Sequence, residues 1–311
     1  MELLVGADLD LSGHEPRILT VHAHPDDEAS KGAGTIAAAR ARGAGTVLVC
    51  CTGGEAGDII NPAMERPEVR ARLHEVRREE LRASADAIGY QKVWMLGYRD
   101  SGMAETEDNE HPDCFARAPF DEAVARLVQL IRVERPHVVI TYPDDQRGYP
   151  HPDHLRVHDI SVVAFDKAAD PSYGAEGAEP WAVAKLYYSV FSRERMTARH
   201  SAFEELGLES PYDERWWKRP SQDHRITTRV SIGDHLDAAW GALRAHATQI
   251  DPDSAHWFGL PDDVARATHP YDDYILARTR VGETPLPIAD GGGEDDVFAG
   301  LDVPATPDPE A

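Results

Sequence analysis

Near the start of this 311-residue chain, Ile18-Leu19-Thr20-Val21 runs straight into five ionisable side chains within seven positions: His22, His24, Asp26, Asp27 and Glu28. A second cluster, His151-Pro152-Asp153-His154, follows another apolar run, His137-Val138-Val139-Ile140-Thr141-Tyr142, and the polar loop 143–150. Two histidines in each cluster, with three carboxylates in the first and one in the second, make a donor set suited to zinc. Zinc takes imidazole nitrogen and carboxylate oxygen and, in catalytic sites, keeps three protein ligands and one open position. The His-x-x-Asp spacing lets one turn present both His24 and Asp27 to a single ion, while Asp26, between them, points elsewhere. A carboxylate beside the metal but not on it is what a general base requires. In the second cluster His151 and His154 stand three apart on an incipient helical turn, so that one can bind the metal and the other face a substrate carbonyl. Asp153 would orient His151 through a hydrogen bond. Two histidines and one carboxylate suit ferrous iron as well as zinc.

The tripeptide His-Pro-Asp occurs a third time at His111-Pro112-Asp113, in a polar loop with no strand before it; that copy is not expected to bind metal. His158 lies four residues beyond His154, a helical metal-pair spacing, but with three ligands already at hand it reads as a packing or supporting residue.

Side chains so far apart in sequence need a sheet to bring them together. Continuous apolar runs at 18–21, 46–51, 92–96, 137–142 and 184–191 read as strands buried on both faces. Helical patterns at 31–41, 67–88, 120–133 and 155–169 alternate with them. The expected fold class is therefore α/β, a Rossmann-like, mostly parallel sheet flanked by helices. In such sheets ligands bind beyond the carboxyl ends of the strands, where both clusters fall, together with the loops Thr52-Gly53-Gly54-Glu55 and 97–103. Residues 1–191 are expected to form the metal-hydrolase core and 192–283 a helical substrate cap of the same domain, with helices near 194–206 and 233–248. Residues 284–311, acidic and without Lys or Arg, read as a disordered tail with an anchor at Val297-Phe298.

Composition narrows the function. A net charge of −23 repels phosphate backbones and argues against nucleic acid as a partner. No apolar stretch is long enough to cross a bilayer, and the first sixteen residues lack a basic start and an apolar block. Cys50, Cys51 and Cys114 fit neither a disulfide framework nor a thiolate metal site. Together these features predict a cytoplasmic enzyme with a small-molecule substrate, open to self-association as a homo-oligomer.

Ala23-His24-Pro25-Asp26-Asp27-Glu28 together with His151-Pro152-Asp153-His154 resembles the zinc-dependent N-deacetylases of the GlcNAc-phosphatidylinositol de-N-acetylase-like superfamily, over roughly residues 17–260. Ser30-Lys31-Gly32, Cys51-Thr52-Gly53-Gly54-Glu55, Gly148-Tyr149-Pro150, Ala245-His246-Ala247-Thr248-Gln249 and Trp257-Phe258-Gly259 are most similar to the branch of amidases and deacetylases that act on mycothiol conjugates and their precursor. The resemblance implies His24, Asp27 and His154 as ligands of one Zn2+ and Asp26 as general base. It further implies His151, held by Asp153, as general acid or oxyanion stabiliser, and Tyr149 as a mobile donor to the tetrahedral intermediate. Lys31, Arg77 and Asp100 would bind substrate, a thiol-sugar conjugate cleaved during detoxification or, alternatively, an acetylated glucosaminyl-inositol. The chain departs from the branch at Gln146-Arg147-Gly148-Tyr149, where Asn-Gly-Gly-Tyr is usual, and Arg147 is expected beside the pocket. A non-catalytic binding protein on this scaffold would lack Asp26, His151 or Tyr149, and all three are present.

Overall fold

In the computed structural model, which describes residues 1–7, 9, 15–174 and 177–302, the apolar runs near the start of the chain lie side by side as parallel strands. The first half comprises β1 (Glu2–Val5), β2 (Arg17–His22), α1 (Asp27–Ser30), α2 (Ala33–Ala41), β3 (Gly45–Thr52), α3 (Pro67–Arg70), α4 (Leu73–Ile88) and β4 (Lys92–Tyr98). It continues through α5 (Glu107–Glu110), α6 (Phe120–Glu134), β5 (Val138–Thr141), α7 (Pro152–Ala169) and β6 (Lys185–Val190). Then follow α8 (Arg193–Glu205), α9 (Glu214–Lys218), β7 (Thr228–Ser231), α10 (Leu236–Ala245), α11 (Ala255–Phe258), α12 (Asp262–Ala267) and β8 (Tyr271–Thr279).

All eight strands join one sheet in the order β1-β4-β3-β2-β5-β6-β8-β7. Strands β2 to β6 are parallel, whereas β1 runs against β4, and β8 against both β6 and β7. From β2 the chain winds outward through β3 and β4, then returns to place β5 on the other side of β2. The switch point between β2 and β5 leaves a crevice at their carboxyl ends, and both clusters of ionisable residues sit there. Two apolar layers cover the sheet, one built on α6 and α7, the other on α2, α4 and α10. Helix α2 packs close because it is rich in alanine and glycine; a Cβ on Gly34 would lie 2.6 Å from Ile232 Cβ.

Several elements differ from expectation. The helix expected over 31–41 begins only at Ala33, because Gly32 turns at φ +93° and a Cβ there would lie 2.6 Å from the Tyr274 hydroxyl. The helix expected over 67–88 is split into α3 and α4. Helix α7 starts at Pro152, three residues earlier than expected, which puts Asp153 and His154 on its first turn. The region 192–283, expected to be helical, also contributes β7 and β8 to the sheet. Residues 284–302 are packed rather than disordered: Val297 and Phe298 are buried, and Glu294 accepts from Lys185 Nζ (2.8 Å) and Tyr187 Oη (2.9 Å). The remainder of the expected tail, 303–311, lies outside the described residues. No helix among them is long and apolar enough to cross a membrane.

Candidate metal centre and active site

The crevice is built from the end of β2 upward. Past His22 the backbone turns sharply, with Asp26 at φ +116°, a left-handed conformation that costs a non-glycine residue about 1–3 kcal/mol. This turn puts Asp27 at the start of α1, facing back toward β5. There Tyr142, just past β5, accepts from the Ala23 amide (2.9 Å) and donates to Asp27 Oδ2 (2.6 Å), which also accepts from the His24 amide (3.0 Å).

Asp27 Oδ2 lies 3.5 Å from His24 Nδ1 and 3.4 Å from His154 Nε2. Donors at about 2.0–2.1 Å from a tetrahedral zinc stand about 3.3 Å apart, close to the spacing that Asp27 Oδ2 keeps from each histidine. The other ring nitrogen of His24 faces carboxylates, Asp153 Oδ2 at 3.2 Å and Asp100 Oδ1 at 3.4 Å. Those partners hold the proton on Nε2 and leave Nδ1 its lone pair, the usual support for a metal-bound histidine. His151 is a further donor nearby, its ligand atoms within 4.8 Å of those of His24 and His154.

The charge states of His154 and Asp27 agree with this reading. Burial pushes His154 down to about 4, so its imidazole is neutral at pH 7. Burial would raise Asp27, but Lys31 and His154 more than offset it and hold the carboxyl well below its ordinary range. Asp100 is lowered likewise, burial being outweighed by His24 and by the Gly102 amide. Burial would lower His24; the surrounding carboxylates, Asp100 first, hold it up instead. A cation bound there would displace its proton.

Asp26 stands beside this cluster, its carboxyl raised by burial and partly restored by Arg77. Arg77 is only 2% exposed. Its guanidinium donates to Asp26 Oδ2 (2.9 Å), Gly54 O (2.7 Å) and Pro25 O. Glycine is required opposite it: Gly54 has φ +70°, and a Cβ there would lie 2.2 Å from Arg77 Nη1. Expected to bind substrate, Arg77 has these hydrogen bonds directed to the loop that carries Asp26 and to Gly54 in the loop after β3.

Other expected residues also find internal partners. Lys31 lines the cavity, but Nζ donates to Asp27 Oδ1 at 2.5 Å. Asp100, buried, faces His24 and accepts from the Gly102 amide at 2.9 Å. Asp153 does not hold His151 through its carboxylate, which takes Ser101 N (3.0 Å), Ser101 Oγ and His24. Its backbone amide does that work, donating to His151 Nδ1 at 3.2 Å, which leaves the neutral His151 proton on Nε2. The His111 copy makes the same local turn, Asp113 N donating to His111 Nδ1 at 3.2 Å, but lines a separate cleft. His158 Nδ1 lies 3.1 Å from Tyr142 O, a supporting position.

Tyr149 is 52% exposed and its ring centroid stands 5.5 Å from that of His154 and 6.1 Å from that of His151. Arg147, expected beside the pocket, folds back on Asp145 (2.8 and 2.6 Å), its side chain 75% exposed, and is not among the cavity-lining residues. A cavity of about 470 Å³ opens against Tyr149 and His154.

Three supporting groups were missed: Tyr142, Ser101, and the buried pair His246 Nε2–Glu28 Oε1 (2.5 Å), whose Glu28 also takes Ser84 Oγ and the Asp26 amide. Tyr142 had a signal, as the last residue of an apolar run leading into a polar loop.

Residues 19–165 match the family described as PIG-L, GlcNAc-PI de-N-acetylase. The mycothiol S-conjugate amidase of Streptomyces coelicolor is 42% identical over 295 residues, 92% of this chain and 97% of that one. The chain belongs to the GlcNAc-PI de-N-acetylase family. Another relative, the 1D-myo-inositol 2-acetamido-2-deoxy-alpha-D-glucopyranoside deacetylase of Geodermatophilus obscurus, is 39% identical over 297 residues, covering 92% and 98%. Among solved structures, the N,N'-diacetylchitobiose deacetylase of Pyrococcus horikoshii aligns with a TM-score of 0.59 over 86% of this chain and 87% of that one. At 18% identity it supports the fold alone. As a member of this family the chain is a hydrolytic enzyme acting on amides.

Proposed function

We propose that this family member is a zinc-dependent amidase that cleaves the amide between an N-acetylcysteinyl group and glucosaminyl-inositol in mycothiol S-conjugates, a step of detoxification. The observation that carries this reading is the cavity of about 470 Å³ with Phe191, Met196, Trp216 and Trp257 in its lining. An acetyl group would leave most of it empty, whereas a substituted cysteinyl group would fill it. Three buried, unbridged cysteines accord with a reducing, cytoplasmic setting.

His24, Asp27 and His154 would hold the zinc. When bound there, zinc supplies Lewis acidity, which polarises a carbonyl oxygen and acidifies water. Asp26, fixed by Arg77, takes the proton of the attacking water. His151, with Nδ1 engaged by the Asp153 amide, presents Nε2–H to the developing oxyanion, and the Tyr149 hydroxyl donates from the opposite, mobile side. Asp26 then passes the proton it has taken to the departing glucosamine nitrogen, while His151, which burial and His24 hold below its ordinary pKa, stays neutral and keeps its Nε2–H on the oxyanion.

A second reading, deacetylation of N-acetylglucosaminyl-inositol, is favoured by the 39% identity to the Geodermatophilus obscurus deacetylase. Parallel kinetics on a bimane-labelled mycothiol conjugate and on the acetylated precursor separate the two. A larger kcat/KM for the conjugate supports the amidase; a larger value for the precursor overturns it in favour of the deacetylase.

A further inference from the structure

One wall of the cavity is a stack of rings ending in a cation. Arg219 lies over Trp216, 3.9 Å from the ring centroid. Trp216 is in turn parallel to His256, with centroids 5.0 Å apart and planes inclined by 15°. Phe191 faces His256 at 6.1 Å, and Trp257 meets it edge-on at 4.6 Å. Burial, helped by Arg199, Arg195 and Arg219, pushes His256 down to about 4. At neutral pH it is an uncharged aromatic plane, and the wall suits a flat apolar group.

The cations around this wall are not equivalent. Lys31 donates to Asp27. Arg193 donates to the carbonyl oxygens of Trp217 and Arg219. Arg195 stands 3.7 Å from Asp272. Arg219 is different: among the described residues its guanidinium meets no carboxylate or carbonyl, only the Trp216 ring. Burial and the neighbouring Arg215 outweigh the more distant Asp213 carboxylate and hold its pKa below the ordinary value.

Stacking uses the face of a guanidinium and leaves its rim of N–H donors directed outward. The stem of this side chain runs alongside Gly148, where a Cβ would lie 3.6 Å from both Cβ and Cδ of Arg219. Gly148 adjoins Tyr149, and Tyr149 adjoins His154. The unmatched donors therefore stand at the rim of the cavity that opens on the reacting groups, next to an aromatic wall.

We infer that Arg219 and the Trp216–His256 wall form a specificity subsite for the acyl side of the substrate, selecting acyl groups that join a flat apolar portion to a carboxylate. The apolar portion lies on the rings, and the carboxylate takes the paired N–H donors of Arg219, a bidentate arrangement that a guanidinium favours over an ammonium. This rests on the reading of the chain as an amide hydrolase whose acyl group enters this cavity. It adds the charge and shape of that group, and Arg219 as the residue that reads the charge.

The test uses two glucosaminyl-inositol amides of matched length, one with a 3-phenylpropanoyl group and one with a 3-(4-carboxyphenyl)propanoyl group. For the wild type, kcat/KM is expected to be about ten- to a hundredfold higher for the carboxylate amide, the range of a charge-assisted hydrogen bond, and the gain should lie in KM. In Arg219→Met, which keeps an apolar stem over Gly148 and Trp216, the ratio should fall to about one; Arg219→Lys should recover part of it. Calorimetric binding of both amides to the slow Asp26→Ala protein judges the subsite independently of turnover. Tighter binding of the carboxylate amide that disappears in the Asp26→Ala/Arg219→Met protein supports it. Equal binding of the two amides, or a preference that survives removal of Arg219, overturns it. Binding with this preference but without hydrolysis of either amide by the wild type would count against the amide-hydrolase reading and leave the subsite standing.

Discussion

The two loops that meet in the crevice are held very differently. In the first, after β2, nearly every polar group has a buried partner: Ala23 N on Tyr142, Ala23 O on Thr52, Pro25 O and Asp26 Oδ2 on Arg77, Asp26 N on Glu28, and Glu28 on His246 and Ser84. In the second, after β5, Asp144 pairs with Arg225 and Asp145 with Arg147 at the surface, and Tyr149 stands half in solvent. Satisfied buried networks are rigid and costly to disturb, whereas exposed pairs contribute about 0–1 kcal/mol. The first loop is thus preorganised, with the strain at Asp26 offset by its surroundings, and the second can adapt to the substrate. Asp26 and Asp27 lie on the rigid side of the crevice and Tyr149 on the adaptable side.

Mutations sharpen that contrast, beginning with the rigid loop. Asp26→Asn should lower kcat/KM by about 10²–10⁴-fold, the contribution of a positioned base, while bound zinc measured by elemental analysis stays at the wild-type level. Arg77→Ala strips hydrogen bonds from a partly buried carboxylate and two carbonyl oxygens. It should cost about 3 kcal/mol in denaturant unfolding and about a hundredfold in kcat, more than in KM. Were Arg77 chiefly a substrate ligand, KM would rise with kcat and stability unchanged.

On the adaptable side the effects should shrink. Tyr149→Phe removes one oxyanion donor and is expected to lower kcat by about ten- to a hundredfold, without moving the thermal midpoint, since the hydroxyl has no partner within the described protein. A Tyr149→Phe protein that unfolds several degrees early would erase the distinction between the loops. Arg147→Gly, which restores the residue usual in the related branch, should change stability by less than about 0.5 kcal/mol and kcat/KM by less than about twofold.

How much of this the chain's sequence reveals follows from burial. Strands β2, β3 and β5 are covered on both faces and appear as unbroken apolar runs, so their ends, and the two clusters on them, could be located directly. Strand β1 lies at an edge and is half exposed. Strand β8 hides Asp272 and Asp273 inside a sheet, charges that read as loop until Thr35, Ser192 and Arg229 are seen to pair with them. The tail misled for a similar reason: Glu294 and Asp296 look solvated in a Gly-rich acidic stretch, yet one meets Lys185 and the other Arg42. Residues of the site were recognisable by type, but their tasks were set by long-range partners. Nothing near Asp153 announces Ser101, 52 positions away, and nothing near Arg77 shows that its donors turn inward to Pro25 and Gly54.

The central claim, that His24, Asp27 and His154 share one ion, is tested most directly by a zinc-edge anomalous difference map of crystals of the zinc-loaded protein. The account predicts one peak per chain within bonding distance of His24 Nδ1, Asp27 Oδ2 and His154 Nε2, and its loss in His154→Ala but not in Asp26→Ala. A peak held instead by His24 with Asp100 and Asp153, or no peak in the crevice of the loaded protein, would contradict it.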